Sequence, residues 1–328
     1  MRKQVLTTGA IILMIILSAC GNEETETGEN TEQLLSEQTT DEMTGIEEGL
    51  GSNEFLEGYK GEISHIHGLG YAGNQNAIFF ATHDGLKIFD NGNWYKTKGQ
   101  NNDYMGFNAV SQGFYTSGHP GMGVNLSNPL GLKMSRDNGK SLIDLGFEGE
   151  SDFHAMGVGY ENHTIYVLNE YKNSKMNKGL YVSRDNGNSW KKVQANNLNK
   201  KVLSIAVHPT NDLIIAVASQ GGILLSEDGG ENFDYITKDS QGTSVYFSKD
   251  ILWYSVYEGD AKLVKYSLQD KRKSEVPLPK LGQDGIIYLA QNPQEPKEVV
   301  FATFNGHVFF STDGASDWGK LVYNGVIQ

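Results

Sequence analysis

The chain has 328 residues and a formal net charge of −13, because 40 Asp and Glu outnumber 27 Lys and Arg. No stretch gathers basic residues into a cluster, which argues against a nucleic-acid partner. The single cysteine excludes an internal disulfide, so packing and hydrogen bonds must hold the fold together.

The N-terminal segment has the features of a secretory signal. Arg2 and Lys3 precede an apolar run that ends at Ile16, which is short for a membrane span. The residues Leu-Ser-Ala-Cys ending at Cys20 resemble the lipobox of bacterial lipoproteins. This resemblance implies a lipoprotein signal peptide over 1–19, a lipidated Cys20, and export to the outer face of the bacterial cytoplasmic membrane, where the lipid is the anchor. The alternative is a buried core cysteine.

Residues 20–59 are expected to form a disordered acidic tether that begins at the lipidated cysteine. Between residues 21 and 59 the chain has twelve Glu or Asp and no Lys or Arg. High charge with few aromatic residues leaves too little apolar surface to offset the entropy of ordering. Residues 60–328 are near neutral and rich in Gly, Tyr and Phe, and their length fits one all-β domain.

An internal repeat organises the domain. Four segments share the pattern Ser-x-Asp-x-Gly-x-x-aromatic or a close variant of it: SRDNGKSL (135–142), SRDNGNSW (183–190), SEDGGENF (226–233) and STDGASDW (311–318). Their starts are 48, 43 and 85 residues apart, which indicates one decayed copy near residues 266–273. A further degenerate copy lies at residues 88–94, so the sequence contains six units.

The repeat resembles the Asp-box, or BNR, motif of sialidase-like β-propellers. The resemblance implies an all-β propeller of six four-stranded blades with Asp-box hairpins. Seven blades are the alternative, should residues 53–62 and 322–328 build more than a closing strand. In such hairpins Asp accepts hydrogen bonds from turn N–H groups and Gly takes the positive-φ position. The boxes are therefore expected to be structural and to lie away from the ligand-binding face.

Aligning the six units produces two columns of residues. The first column marks the start of each inner strand: His67, Met105, His154, Ser204, Ser244 and Tyr288. The second marks the end of each second strand: His83, His119, Glu170, Gln220, Glu258 and Phe304. Because neighbouring strands are antiparallel, both columns should meet at one mouth of the central channel. The histidines should therefore crowd the half of that mouth formed by blades one to three.

A metal site is the first functional hypothesis. The expected ligands are His67, His83, His119 and His154, with Met105 and Glu170 behind them and His65 in their surroundings. Imidazole and thioether donors favour copper, with zinc or iron as alternatives. Asp84, Asp103 and Asp152 are placed to orient the imidazoles. The competing interpretation is that the histidines bond only to one another and to water.

A glycoside hydrolase is the second hypothesis. The segments HIHGL, THDGL, MGF, SGHP, NPLGL and DFHA resemble a group of bacterial exported proteins and lipoproteins that are labelled glycosyl hydrolases. A catalytic carboxylate pair would come from Glu170, Asp84, Asp103 and Asp152. Sialidase activity is not expected. Sialidases bind their substrate through three arginines, whereas two of the three arginines beyond the signal segment lie inside Asp boxes.

The third hypothesis is a scaffold without chemistry. Asp-box propellers of photosystem assembly factors and sortilin-like receptors bind proteins or peptides, and an anchored propeller could do the same. The candidate partners are thus a small ligand, a glycan or an extracellular protein, and the protein is expected to be a monomer. Whether the chain is an enzyme stays open from sequence alone.

Overall fold

The structure is a computed structural model that describes residues 50–328. The expected signal peptide (1–19), lipidated Cys20 and most of the tether lie outside the described residues, so those predictions stay predictions. Apart from a three-residue 3-10 helix, Leu50–Ser52, the regular structure of the described residues is entirely β. No helix within residues 50–328 is long and apolar enough to span a membrane.

The strands form six antiparallel sheets, which confirms the expected six-bladed propeller. The first three blades contain, in chain order, β1 (Leu56–Gly58), β2 (Gly68–Gly70), β3 (Ile78–Thr82), β4 (Gly85–Asp90) and β5 (Asn93–Thr97); β6 (Asp103–Val110), β7 (Gly113–His119), β8 (Lys133–Ser135) and β9 (Ile143–Asp144); β10 (Met156–Val158), β11 (Ile165–Asn169), β12 (Gly179–Ser183) and β13 (Lys191–Lys192). The other three contain β14 (Val202–Val207), β15 (Ile215–Ser219), β16 (Gly222–Ser226) and β17 (Asp234–Lys238); β18 (Gln241–Ser248), β19 (Ile251–Tyr257), β20 (Ala261–Ser267) and β21 (Lys273–Val276); β22 (Ile286–Gln291), β23 (Val299–Thr303), β24 (Val308–Ser311), β25 (Gly319–Tyr323) and β26 (Val326–Ile327).

The core lies between the blades. The second strands β3, β15 and β23 are buried at every position, because both faces of each sheet pack against a neighbouring blade. Six apolar clusters fill the six interfaces between adjacent blades, including the one between blades six and one. Apolar burial between the blades, with hydrogen bonds across them, thus holds the ring of a chain that has one cysteine.

The four strict repeats form the same hairpin between the third and fourth strands. In each, the first serine donates its Oγ–H to the aspartate two residues later, at 2.8–2.9 Å. The same Oγ accepts the N–H of the fourth residue after it, at 2.8–2.9 Å. These hairpins sit at the opposite ends of the strands from the two columns of residues.

Replacing Ser226 by alanine is expected to lower the free energy of unfolding by about 2 kcal/mol, because the buried N–H of Gly230 then lacks an acceptor. The matched control is Ser267→Ala in the decayed fifth hairpin. The hydroxyl of Ser267 bonds only within the exposed turn, to the N–H and the carboxylate of Asp270, so its loss should cost less than about 0.5 kcal/mol. Parallel urea unfolding measures both, and equal losses would contradict the structural role of the box serine.

The folded part begins before residue 60, which corrects the expected end of the tether. Strand β1 pairs with β5, with Leu56 opposite Thr97, and adds a fifth strand to blade one. At the other end of the chain β26 adds a fifth strand to blade six. The N–H of Ile63 donates to the carbonyl of Gly325 at 2.7 Å, which links the two blades. The terminal segments therefore extend two blades and build no seventh within residues 50–328.

Candidate metal centre

The starts of the inner strands and the ends of the second strands meet at one mouth, as the two columns predict. His67 immediately precedes β2 and donates its backbone N–H to the carbonyl of Ala81 on β3, at 2.9 Å. His83 lies in the tight turn between β3 and β4, and Asp103 is the first residue of β6 in the next blade. Three separate backbone segments thus bring these side chains together.

His67, His83 and Asp103 form what we call the first cluster. The Nε2 atoms of His67 and His83 are 3.3 Å apart. The Nδ1 atom of His83 is 2.9 Å from Oδ1 of Asp103, and Nε2 of His67 is 3.8 Å from that oxygen. One donor atom from each residue lies within 4.8 Å of the others, the one such group of three found among residues 50–328. The cluster has the spacing of a metal site.

Two features of the first cluster favour a cation. Burial, reinforced by the neighbouring His83, lowers the pKa of His67 to about 4, so its imidazole is neutral at neutral pH with a lone pair available. Oδ1 of Asp103 is buried and lacks an aligned hydrogen-bond donor among the described residues. A buried carboxylate oxygen without a donor is costly unless a positive charge lies nearby.

His65 lies beside this cluster. Its ring centroid is 4.9 Å from that of His83, and its backbone has a φ of 52°. The side chain is exposed and has no hydrogen bond among residues 50–328. His65 thus lies at the edge of the first cluster, beside His83.

His119, Asp152 and His154 form a second cluster. Oδ2 of Asp152 is 3.2 Å from Nε2 of His119 and 3.2 Å from Nδ1 of His154. His119 also contacts Oδ1 of Asn128 through Nδ1, at 2.7 Å. Because Asp103 lies directly opposite His119 in the β6–β7 pair, the two clusters are neighbours along the mouth.

Three predicted site residues are not brought into either cluster. Met105 is half-buried on β6 opposite Ser117, and it does not line the channel cavity. Glu170 is exposed and has no partner in the part of the chain that the structure describes. Asp84 is paired with the buried ammonium of Lys87, at 2.8 Å.

Asp84 is an ionised carboxylate held by its neighbours. Partial burial raises its pKa, but the hydrogen bond and the charge of Lys87 outweigh this and lower it overall. A carboxyl with a lowered pKa is poorly suited to act as the general acid, one of the two roles that carboxyl groups take in glycoside cleavage.

The sequence did not single out Asn128. It lies in the long connection between β7 and β8, and the length of that connection was the available signal, since long loops beside polar clusters carry function. The channel behind the two clusters is a cavity of about 130 Å³ lined by the inner strands, and both His67 and His154 face it.

Comparison with known proteins supports the fold and goes no further. No protein-family model matches the chain, and no curated protein matches it. A GH74 xyloglucanase from Xanthomonas campestris aligns with a TM-score of 0.53 at 16% identity, over 81% of this chain and 46% of that one. A GH74 enzyme from Niastella koreensis aligns with a TM-score of 0.53 at 14% identity, over 82% and 47%.

A chain of the nidogen–laminin complex is also similar, with a TM-score of 0.55 at 10% identity over 76% of this chain and 95% of that one. The present chain spans less than half the length of the two GH74 enzymes it resembles. Identities this low show the fold alone. The protein is therefore a six-bladed β-propeller with a His/Asp cluster at one mouth.

Proposed function

We propose that the protein binds a divalent transition-metal ion at the first cluster. The supporting observation is the convergence of two imidazole nitrogens and one carboxylate oxygen within 4.8 Å. We further propose that it does so as an exported lipoprotein anchored through Cys20, which rests on the sequence of the N-terminal segment.

The contact distances suit one ion between the two rings. Ligand bonds to zinc are about 2.0–2.1 Å for imidazole nitrogen, so two ligands at tetrahedral angles are about 3.3 Å apart. The Nε2 atoms of His67 and His83 have that separation. Oδ1 of Asp103, 3.8 Å from Nε2 of His67, supplies the carboxylate oxygen of the set. With 47% of its side chain exposed, His83 leaves the site open to solvent and to further ligands.

The donor set indicates a borderline metal. Nitrogen and carboxylate oxygen suit zinc, iron(II) or copper(II), whereas copper(I) prefers sulfur. The expectation of copper drew on Met105, which lies outside both clusters. The proposal therefore names a divalent ion and places zinc, iron(II) and copper(II) on an equal footing.

Glycoside hydrolysis has weaker support. Of its four candidate carboxylates, Asp84 is held by Lys87, and Asp103 and Asp152 each face histidines. The fourth, Glu170, is exposed and belongs to neither cluster. Three of the four candidates are thus engaged by basic side chains, whereas glycoside hydrolysis requires two carboxyl groups placed across the bond to be cleaved.

Metal content tests the proposal. The full chain, purified in detergent without a histidine tag, should bind Zn²⁺ or Cu²⁺ tightly enough to survive desalting. A His67→Ala/His83→Ala variant is expected to hold about one equivalent less by mass spectrometry. The control is His163→Gln, outside both clusters, where His163 bonds to Tyr115. An unchanged metal content in the double variant would overturn the proposal.

A further inference from the structure

We propose that the second cluster is a separate site for a second divalent metal ion, so that the mouth holds two ions in adjacent blades. Its residues are His119, Asp152 and His154. The proposal goes beyond the first site, because none of these residues belongs to it.

The hydrogen bond to Asn128 sets the tautomer of His119. An amide oxygen only accepts, so the 2.7 Å contact makes Nδ1 of His119 the donor. In the neutral ring Nε2 then carries a lone pair, and that lone pair faces Oδ2 of Asp152 at 3.2 Å. Two acceptors at this distance repel each other. A cation bound by both Nε2 of His119 and Oδ2 of Asp152 replaces this repulsion with attraction.

The separation also suits a shared ion. Two ligands on one ion with bonds of about 2.1 Å are about 3.0–3.4 Å apart for octahedral and tetrahedral angles. The contact of His119 with Asp152 falls in that range, and so does the 3.2 Å contact of His154 with the same oxygen. Oδ2 of Asp152 therefore lies between two imidazoles. An ion bound to this oxygen is within reach of both rings.

Asp152 itself is short of partners. Its side chain is 12% exposed, and Oδ1 is buried without a hydrogen bond from any described residue. A buried carboxylate that lacks donors is stabilised by a metal ion. The donor atoms of this cluster do not all lie within 4.8 Å, so the ring of His154 must turn inward to complete the site. Its side chain is 64% exposed and free to do so.

The blade repeat offers an independent reason. Moving one blade along the ring takes His83 to His119 and Asp103 to Asp152, whereas His67 goes to Met105, and His154 of the second cluster comes from the following blade. Both clusters thus have two imidazoles and one carboxylate. In the last three blades the position of the aspartate is occupied by Val202, Gly242 and Ile286. The repeat therefore builds this pair of imidazole and carboxylate twice and does not continue it in the last three blades.

The experiment is a titration of the untagged full chain with Co²⁺ and with Zn²⁺. Calorimetry gives the number of ions, and visible absorption of Co²⁺ reports the ligand geometry. The variants are His83→Gln/Asp103→Asn for the first site and His119→Gln/Asp152→Asn for the second, with His163→Gln as the control. Circular dichroism establishes that each variant is folded.

We expect two equivalents in the parent and control, one in each double variant, and none in the combination of all four changes. Asn128→Ala removes the acceptor that fixes the ring of His119 and should weaken only the second ion, by about 10- to 100-fold. If the parent binds only one equivalent, and each double variant binds none, the two clusters form a single shared centre and the proposal is overturned. If His83→Gln/Asp103→Asn loses one ion and His119→Gln/Asp152→Asn loses none, the second cluster holds only a protonated imidazole, and the proposal is overturned. No ion in the parent would refute both sites.

Discussion

Replacing Gly106 by alanine is expected to lower the free energy of unfolding by about 3 kcal/mol, the sum of a left-handed backbone cost and a clash. Gly106 has a φ of +55°, and a Cβ there would lie 2.1 Å from the carbonyl oxygen of Phe153. Gly106 occupies an irregular stretch of β6, where the register with β7 shifts between Met105 and Asn108. Chemical denaturation measures the loss.

Gly92→Ala is the matched control for Gly106. Gly92 also has a positive φ, +81°, but a Cβ at this position would have no neighbouring atom within 4 Å among the described residues. Its replacement should cost only about 1 kcal/mol. Because Phe153 lies between Asp152 and His154, the Gly106 variant should also lose the second ion, whereas the Gly92 variant keeps it. Equal stability losses in the two variants would contradict the close approach of the two segments.

The second large effect concerns Lys133, which is buried on β8. Its ammonium bonds to the carboxylates of Asp144 and Glu148 at the surface. The Asp144→Asn/Glu148→Gln variant leaves a buried cation without a counter-charge, and we expect a loss of about 3 kcal/mol. Adding Lys133→Met to that variant should restore most of the stability, since an apolar side chain needs no partner. Urea unfolding of the three proteins tests this, and failure of the third change to rescue would contradict it.

The ion pair of Lys133 with Glu148 also makes the free energy of unfolding depend on pH in the acid range. The hydrogen bond from Lys133 lowers the pKa of Glu148 from 4.5 to about 2. Because the folded-state pKa is the lower one, this stabilisation is fully present above about pH 4.5 and is lost as the pH falls towards 2. The Glu148→Gln variant should therefore show a flatter dependence of stability on pH over that window than the parent does.

Much of the architecture could be predicted from the sequence because the repeat is periodic. The boxes fixed the number of blades, and antiparallel pairing then placed both columns at one mouth. The sequence allowed a closing strand within residues 53–62 but could not place β1, since its three residues lie within an acidic stretch and gain their structure only by pairing with β5. Local composition carries no signal for such a tertiary contact.

The division of the site into two clusters could not be predicted. The columns grouped the four histidines as one set, with Met105 and Glu170 behind them. In the structure each cluster instead has its own aspartate. Asp103 lies two residues before Met105, and Asp152 lies two residues before His154. Which side chain turns toward which neighbour depends on local irregularities such as the one at Gly106, and these follow from packing between blades. The pairing of Asp84 could not be predicted either, because its partner Lys87 is buried in the interior of its own blade.

The joint between blades six and one gives the ring a seam. Every blade is made of its own consecutive strands, apart from β1, so no strand among the described residues is exchanged across this joint. The blades meet there through apolar packing, the backbone link of residues 62–63 to residues 325–326, and hydrogen bonds from Asn292 to Asn76 and from Gln294 to Asn74. All the cluster residues lie on blades one to three, on the same side of the seam. Opening of the ring at this joint would widen the channel without separating the residues of either cluster, because the joints between blades one and two and between blades two and three stay packed.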